Sequence, residues 1–291
     1  MSRIFEALQR TEKVGPSHLL SVRDRAASIS DDRPAEESDE ITAAVETASG
    51  EDIERAAGET IQLLPRSESR LVSITDPAGL GAEQFRLLGV RLSNLQREHK
   101  FKRVLITSSV SEDGKTMVAA NLALTLSRNQ NKRVLLIEGD LRRPKLGACL
   151  GLPALPGLTE MVKSTEPSIR FVHPIEGSSL WYLPAGTATD EPGAALHSPR
   201  LSDLLDSLSP KVDYVIVDSA PILPLADANL WLRLTDGMLL VIRQMSTPKT
   251  ALAQALTLLD KPTLIGIVFN GAKEVMPAYG HYYKSYSAQK R

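Results

Sequence analysis

The chain has 291 residues, a formal net charge of −1 and a single cysteine. That length suits one large α/β domain with a tail or two. The near-neutral balance excludes a global attraction to nucleic acid or anionic lipid, and the lone Cys149 excludes an internal disulfide or a multi-cysteine zinc site and suits a reducing compartment.

The opening MSRIFEALQR lacks the continuous apolar stretch of a secretory signal. No run along the chain approaches the roughly 18 apolar residues that span a bilayer. We therefore expect a cytoplasmic protein whose membrane association runs through a partner. Residues 1–12 form a first segment, with Ile4, Phe5 and Leu8 at helical spacing. So short a peptide holds no stable helix by itself, and it reads either as a frayed terminus or as a docking helix. Residues 31–60 carry eleven acids against Arg33 and Arg55, a net of −9 that leaves +8 for the remainder. That excess favours anionic ligands locally. No Phe, Trp or Tyr occurs between Phe5 and Phe85. Residues 13–75 are accordingly expected to be a disordered acidic linker, with too little apolar surface to offset ordering entropy.

From residue 76 to 272 the pattern becomes that of a folded domain. Phe85, Leu88, Leu92 and Leu95 line one helical stripe. Short apolar runs follow at 103–107, 133–140, 179–185, 213–221, 237–243 and 264–271. They are continuously apolar and mostly separated by helix-length segments, as strands buried on both faces are. The expected fold is doubly wound α/β, a mainly parallel sheet with helices on both faces. Ligands in such sheets bind beyond the carboxyl ends of the strands, which here read T-S-S, E-G-D, D-S-A-P and F-N-G.

The stretch SSVSEDGKTMVAANLA, residues 108–123, follows the first strand and runs into an alanine-rich helix. Strand, polar loop, Gly114-Lys115-Thr116 and helix are the context of a phosphate-binding loop, although Ser109 occupies the place of its usual first glycine. Backbone amides and the helix N-terminus supply positive potential, Lys115 reaches the β/γ-phosphates, and the Thr116 hydroxyl ligates magnesium. Glu112 and Asp113 oppose this unless both side chains turn to solvent, since like charges 4 Å apart cost about 4 kcal/mol in a partly screened site. Glu138 and Asp140 follow the second strand with Arg142 and Arg143 just beyond, and Asp218 ends the fourth. Magnesium takes one or two carboxylates beside phosphate oxygens, so Thr116, Glu138 and Asp218 are the candidate metal residues.

These residues resemble the bacterial tyrosine kinases of capsule and exopolysaccharide synthesis. That family combines a G-K-[ST] loop with one strand ending D-x-D-x-R and another ending D-x-x-P; here they read EGDLR (138–142) and DSAP (218–221). AEQFRLL, PGLTEMV, LPAG, PILPLADA and GIVFNG follow the family's order across about residues 80–286. Three positions depart from it: Glu138 replaces the first Asp, Glu112 replaces a loop glycine, and the E-x-x-R-x-x-R helix of ring assembly reads Glu83, Arg86, Gly89.

The resemblance implies a P-loop NTPase fold like that of the MinD/ParA ATPases, with ATP and Mg²⁺ as cofactors. It assigns the nucleotide to Ser111, Glu112, Asp113, Gly114, Lys115, Thr116 and Met117, with Asn270 at the adenine. As a plain turn residue before Gly271, Asn270 is equally well explained. Lys115, Asp140 and Asp218 become catalytic, with Asp140 orienting or deprotonating a phenol. Arg142 stabilises transferred charge, though a solvent-facing helix start explains it almost as well. Tyr279, Tyr282, Tyr283 and Tyr286 lie within eight residues of a polar tail, 273–291, where aromatics gain nothing from burial. The resemblance makes them autophosphorylation acceptors, in trans within a homo-oligomer, with cis transfer still within reach. It further implies a transmembrane polysaccharide co-polymerase as activator at the inner face of the plasma membrane and a cognate tyrosine phosphatase, with no nucleic-acid partner. Two alternatives are a MinD/ParA-like ATPase switch, whose K-G-G is here Val110, Ser111 and Glu112, and a non-catalytic nucleotide-binding scaffold.

Overall fold

The apolar runs become strands of one seven-stranded sheet in a computed structural model, which describes residues 53, 56–66, 69–223, 226–259 and 263–272. The strands are β1 (Arg103–Ser108), β2 (Val134–Glu138), β3 (His173–Pro174), β4 (Leu180–Leu183), β5 (Tyr214–Asp218), β6 (Gly237–Arg243) and β7 (Leu264–Asn270). Their order is β3-β4-β2-β5-β1-β6-β7, parallel throughout except for the β3–β4 pair. Each apolar run read from the sequence is one of these strands. The two-residue β3 carries no apolar run and was not legible.

Continuous apolarity reflects burial on both faces. Val104 and Ile106 of β1 point into the same cluster as Val134, Leu136, Tyr214 and Ile216, while Leu105 joins Leu135, Ile137, Val215 and Val217 on the other side. The first face is covered by α2 (Leu80–His99) and α3 (Lys115–Asn129), the second by α7 (Pro199–Leu208) and α8 (Asp227–Leu234). Helix α3 is buried without interruption from Val118 to Ser127. Its small Ala119, Ala120 and Ala123 let it sit close against the strands, as the dense packing of interiors requires. Further α-helices among the described residues are α1 (Val72–Thr75), α4 (Leu146–Leu150), α5 (Leu158–Met161), α6 (Gly193–Leu196) and α9 (Lys249–Leu258). In α2, Leu92 is buried and Phe85, Leu88 and Leu95 pack beside it, as the stripe predicts.

The linker expected to reach residue 75 ends earlier. Ile53 and Ala57 are buried, and Leu71 is fully buried. Ile61 forms a parallel bridge with Ile175, flanked by Gly58 N–H to the Val172 carbonyl (2.8 Å) and Glu176 N–H to the Ile61 carbonyl (3.0 Å). Helix α1 docks on α3 through Ser73, whose hydroxyl meets that of Thr125 at 2.9 Å. Averaged composition hides such anchors, because a few apolar residues in the right places and backbone pairing at a sheet edge suffice. Segments 1–12 and 273–291, with Ile4, Phe5, Leu8 and the four tail tyrosines, lie outside the described residues.

Glu83 and Arg86 form an i,i+3 ion pair at 2.7 Å on α2. Gly89, where the third charge of the assembly helix would stand, is buried. A Cβ there would lie 2.5 Å from Gln130 Nε2, so a side chain at 89 would displace the Gln130 amide.

Candidate active site

Strand order explains why distant acids meet. Strand β5 lies between β1 and β2, so Asp218 at its end is registered with Glu138 on one side and Ile106 on the other. The loop after β1 then delivers Lys115 as the first residue of α3. Its Nζ lies 2.9 Å from Asp140 Oδ2 and 3.8 Å from Asp218 Oδ1. Burial disfavours the ammonium, but Asp218 and Asp140 outweigh it and hold the Lys115 pKa above its ordinary value. For Asp218 burial dominates: its pKa is pushed up to about 6, against the downward pull of Lys115 and the nearby Thr116 hydroxyl. Neither Asp218 oxygen has a hydrogen-bond partner of normal geometry.

The loop is held by its neighbours. Gly114 has φ 94°, and a Cβ on it would fall 2.0 Å from Asn270 Nδ2, so only glycine fits. Asn270 itself donates to the Asp113 carbonyl at 2.8 Å, placing the end of β7 on the loop backbone. Arg243 Nη1 donates to the Glu112 carbonyl at 3.2 Å. The Asp113 side chain departs from the expectation of a solvent-facing carboxylate: it is buried and accepts the Thr247 hydroxyl at 2.7 Å. Burial raises its pKa, partly countered by that hydroxyl. The carboxylate is thus turned onto the β6–α9 connection, with Oδ1 bonded to Thr247 and Oδ2 buried without a hydrogen-bond partner. Glu112 and Ser111 are exposed, and Met117 packs on the α3 side of the core.

Glu112 adopts φ 69°, a left-handed conformation that disfavours a side chain. Glu112→Gly should therefore stabilise the protein by up to about 1 kcal/mol, read as a higher urea midpoint. A lower midpoint would show that the glutamate is held by a compensating contact.

Two expected site residues are engaged elsewhere. The Arg142 guanidinium pairs with both Asp227 oxygens (2.7 and 3.3 Å) and donates to the Asp190 carbonyl at 2.6 Å. It joins the turn after β2 to the start of α8, a tie that a plain solvent-facing helix start would not need. Glu138, expected at the metal, accepts the Leu146 N–H at 2.6 Å and the Tyr182 hydroxyl at 2.5 Å. Its carboxylate is satisfied within the protein. Asp227, Thr247, Arg243 and Tyr182 were missed by the sequence reading, since nothing local marks them.

The donor set still fits a hard cation. Asp218 offers two buried oxygens that lack a hydrogen bond, and the Thr116 hydroxyl lies near them. Among the described residues no group of three or more His, Cys, Asp or Glu is arranged to hold a metal ion. A cation here would complete its shell with phosphate oxygens and water, as Mg²⁺ does.

Comparison with known proteins places the chain among named relatives. The chain is 32% identical over 220 residues to the tyrosine-protein kinase YwqD of Bacillus subtilis, covering 75% of this chain and 92% of that protein. It is 28% identical over 234 residues to the succinoglycan biosynthesis transport protein ExoP of Rhizobium meliloti, covering 74% of this chain but 30% of that longer protein. The solved BceF tyrosine kinase domain superposes with a TM-score of 0.63 at 28% identity, over 82% of this chain and 99% of the domain. No family model matches the chain.

Proposed function

The chain belongs to the bacterial tyrosine-protein kinases, and we propose that it is an autokinase that moves the γ-phosphate of ATP to tyrosines in its own C-terminal segment during control of exopolysaccharide synthesis or export. The observation that carries this reading is the buried Lys115 ammonium held between Asp140 and Asp218 at the head of α3. Phosphoryl transfer demands positioning and charge stabilisation more than covalent chemistry. Lys115 and the amides of residues 111–117 bind the phosphates, with Asn270 bordering the loop on the adenine side. Thr116 and Asp218 hold Mg²⁺, which when bound neutralises charge on the phosphate oxygens. Asp140 orients the acceptor phenol and takes its proton as the phenolic oxygen bonds to phosphorus and the bond to ADP breaks. Arg142 keeps the turn carrying Asp140 in place through Asp227.

Burial of the other tyrosines supports the C-terminal four as acceptors. Of the chain's six tyrosines, Tyr182 and Tyr214 are 1% and 0% exposed. Their hydroxyls bond to Glu138 and Ser93, so neither can approach a nucleotide. Tyr279, Tyr282, Tyr283 and Tyr286 remain. They begin nine residues after Asn270, a span of about 30 Å when extended, so transfer within one subunit is within reach beside transfer across a homo-oligomer.

Changing all four tail tyrosines to phenylalanine should remove phosphotyrosine from protein incubated with Mg-ATP while leaving nucleotide binding intact. An anti-phosphotyrosine blot and a nucleotide titration check this. Persisting phosphotyrosine would refute the acceptor assignment, and ATP hydrolysis by wild type without any phosphotyrosine would favour a switch ATPase. Among the described residues no helix is long and apolar enough to cross a membrane. That fact, and the 30% share of ExoP that the chain matches, support a transmembrane co-polymerase partner that brings the kinase to the inner membrane face, where a tyrosine phosphatase resets it.

A further inference from the structure

Glu138 ends β2 two residues before Asp140, yet it is engaged away from the Lys115 cluster. Tyr182 lies on β4 opposite Leu136, so its ring and the Glu138 side chain share one sheet face. The phenol donates to Oε2 at 2.5 Å, the Leu146 N–H to Oε1 at 2.6 Å, and the Ala185 N–H reaches Oε2 at 3.5 Å. Both residues are buried, Glu138 at 4% and Tyr182 at 1% exposure. The first turn of α4 rests directly on the pair: a Cβ on Gly147 would stand 3.0 Å from the Tyr182 oxygen and 3.8 Å from Glu138 Oε2. Between these anchors runs the turn 139–145, pinned again where Arg143 N–H donates to Asp140 Oδ1 at 3.2 Å.

We propose that Glu138 and Tyr182 form a brace that fixes α4 against β4, thereby holding Asp140 on Lys115, and that Glu138 is a positioning residue and not a metal ligand. Side-chain length is the reason for glutamate at this place. An aspartate would stop about 1.5 Å short and could not hold both the Tyr182 hydroxyl and the Leu146 amide. A buried carboxylate with three hydrogen bonds is also costly to redirect, since its partners would be left unsatisfied. The Tyr182 phenol, with its pKa raised by burial and by Glu138, remains a donor at any ordinary pH. The activity arm of the test rests on the kinase reading above; the structural arm does not.

Cys149 lies on α4, is half-buried and is the chain's single cysteine, so its rate of reaction with a thiol reagent such as DTNB reports on that helix alone. Tyr182→Phe is the cleanest variant because it leaves the Glu138 charge in place, and burial, with the Asp218 and Glu138 charges, raises the Cys149 thiol pKa. We expect Tyr182→Phe to speed labelling at least fivefold and to lower the autophosphorylation rate about tenfold, with KM for ATP within twofold of wild type. Glu138→Asp should behave as Tyr182→Phe does, and Glu138→Gln should leave the Mg²⁺ concentration for half-maximal binding of a fluorescent ADP analogue within twofold. Unchanged labelling in Tyr182→Phe overturns the brace. Full activity in Glu138→Asp, or a tenfold higher Mg²⁺ requirement in Glu138→Gln, restores Glu138 as a ligand and also overturns it. A protein that labels as expected but never acquires phosphotyrosine refutes the kinase reading and leaves the brace standing.

Discussion

Lys115→Met should lower the rate of phosphotyrosine formation by at least about a thousandfold, the scale on which single charge-stabilising groups act in phosphoryl transfer. The side chain is 12% exposed and is the cation between Asp140 and Asp218, which are 10% and 0% exposed at their side chains. Methionine keeps the length of the stem but removes the charge. Two buried carboxylates then face the position where a triphosphate must bind, and their repulsion replaces an attraction. Nucleotide affinity should fall together with turnover, which a fluorescent-nucleotide titration and a timed anti-phosphotyrosine blot measure. A variant retaining more than about 1% of the wild-type rate would place the charge stabilisation elsewhere. The same variant reports the direction of transfer. Mixed with an active subunit whose four tail tyrosines are phenylalanine, any phosphate on the Lys115→Met chain has arrived from a neighbour.

The meeting of Lys115 with Asp140 and Asp218 was legible because strand, glycine-lysine turn and acid-tipped strands each carry a local signature, and a parallel sheet gathers strand ends at one edge. What the other side chains do there was not legible, because their partners lie far away in sequence. Asp113 turns to Thr247, 134 residues on, Arg142 to Asp227, 85 residues on, and Glu138 to Tyr182, 44 residues on. In each case a charged residue that local reasoning assigns to ligand or solvent is engaged by the protein itself, although Asp113 Oδ2 stays buried without a hydrogen-bond partner. The same limit applies to residues 53–75, where Ile53, Ala57 and Leu71 find slots that composition cannot foresee. Tyr182 had no signal at all, since an aromatic inside an apolar strand reads as core, and by packing it is core.

Asp218→Asn should yield a protein that is inactive yet more stable than wild type at pH 7.5. Asp218 is fully buried, its two oxygens lack hydrogen bonds, and its folded pKa is about 6 against 3.8 for a free aspartate. Below pH 3.8 the group is protonated in both states and makes no difference. Between 3.8 and about 6 the folded state binds a proton that the unfolded state has lost, so stability falls as pH rises, to a deficit of about 3 kcal/mol above the folded pKa. Asparagine removes that deficit, in which the attraction to Lys115 is already counted, but buries an amide whose N–H groups lack acceptors, at a cost of about 1–2 kcal/mol, while Lys115 keeps its closer contact with Asp140. The balance is a gain of about 1–2 kcal/mol, or roughly 2–8 °C in Tm for a domain of this size, that fades toward pH 5 as the wild-type carboxyl protonates. Mg-ADP should act in the opposite sense, raising the Tm of wild type and leaving the variant unmoved, because a cation on Asp218 relieves the same burial. Equal Tm values at pH 7.5, or a gain that persists undiminished at pH 5, would mean that the carboxylate is not under electrostatic strain. The site would then owe its metal affinity to groups other than Asp218.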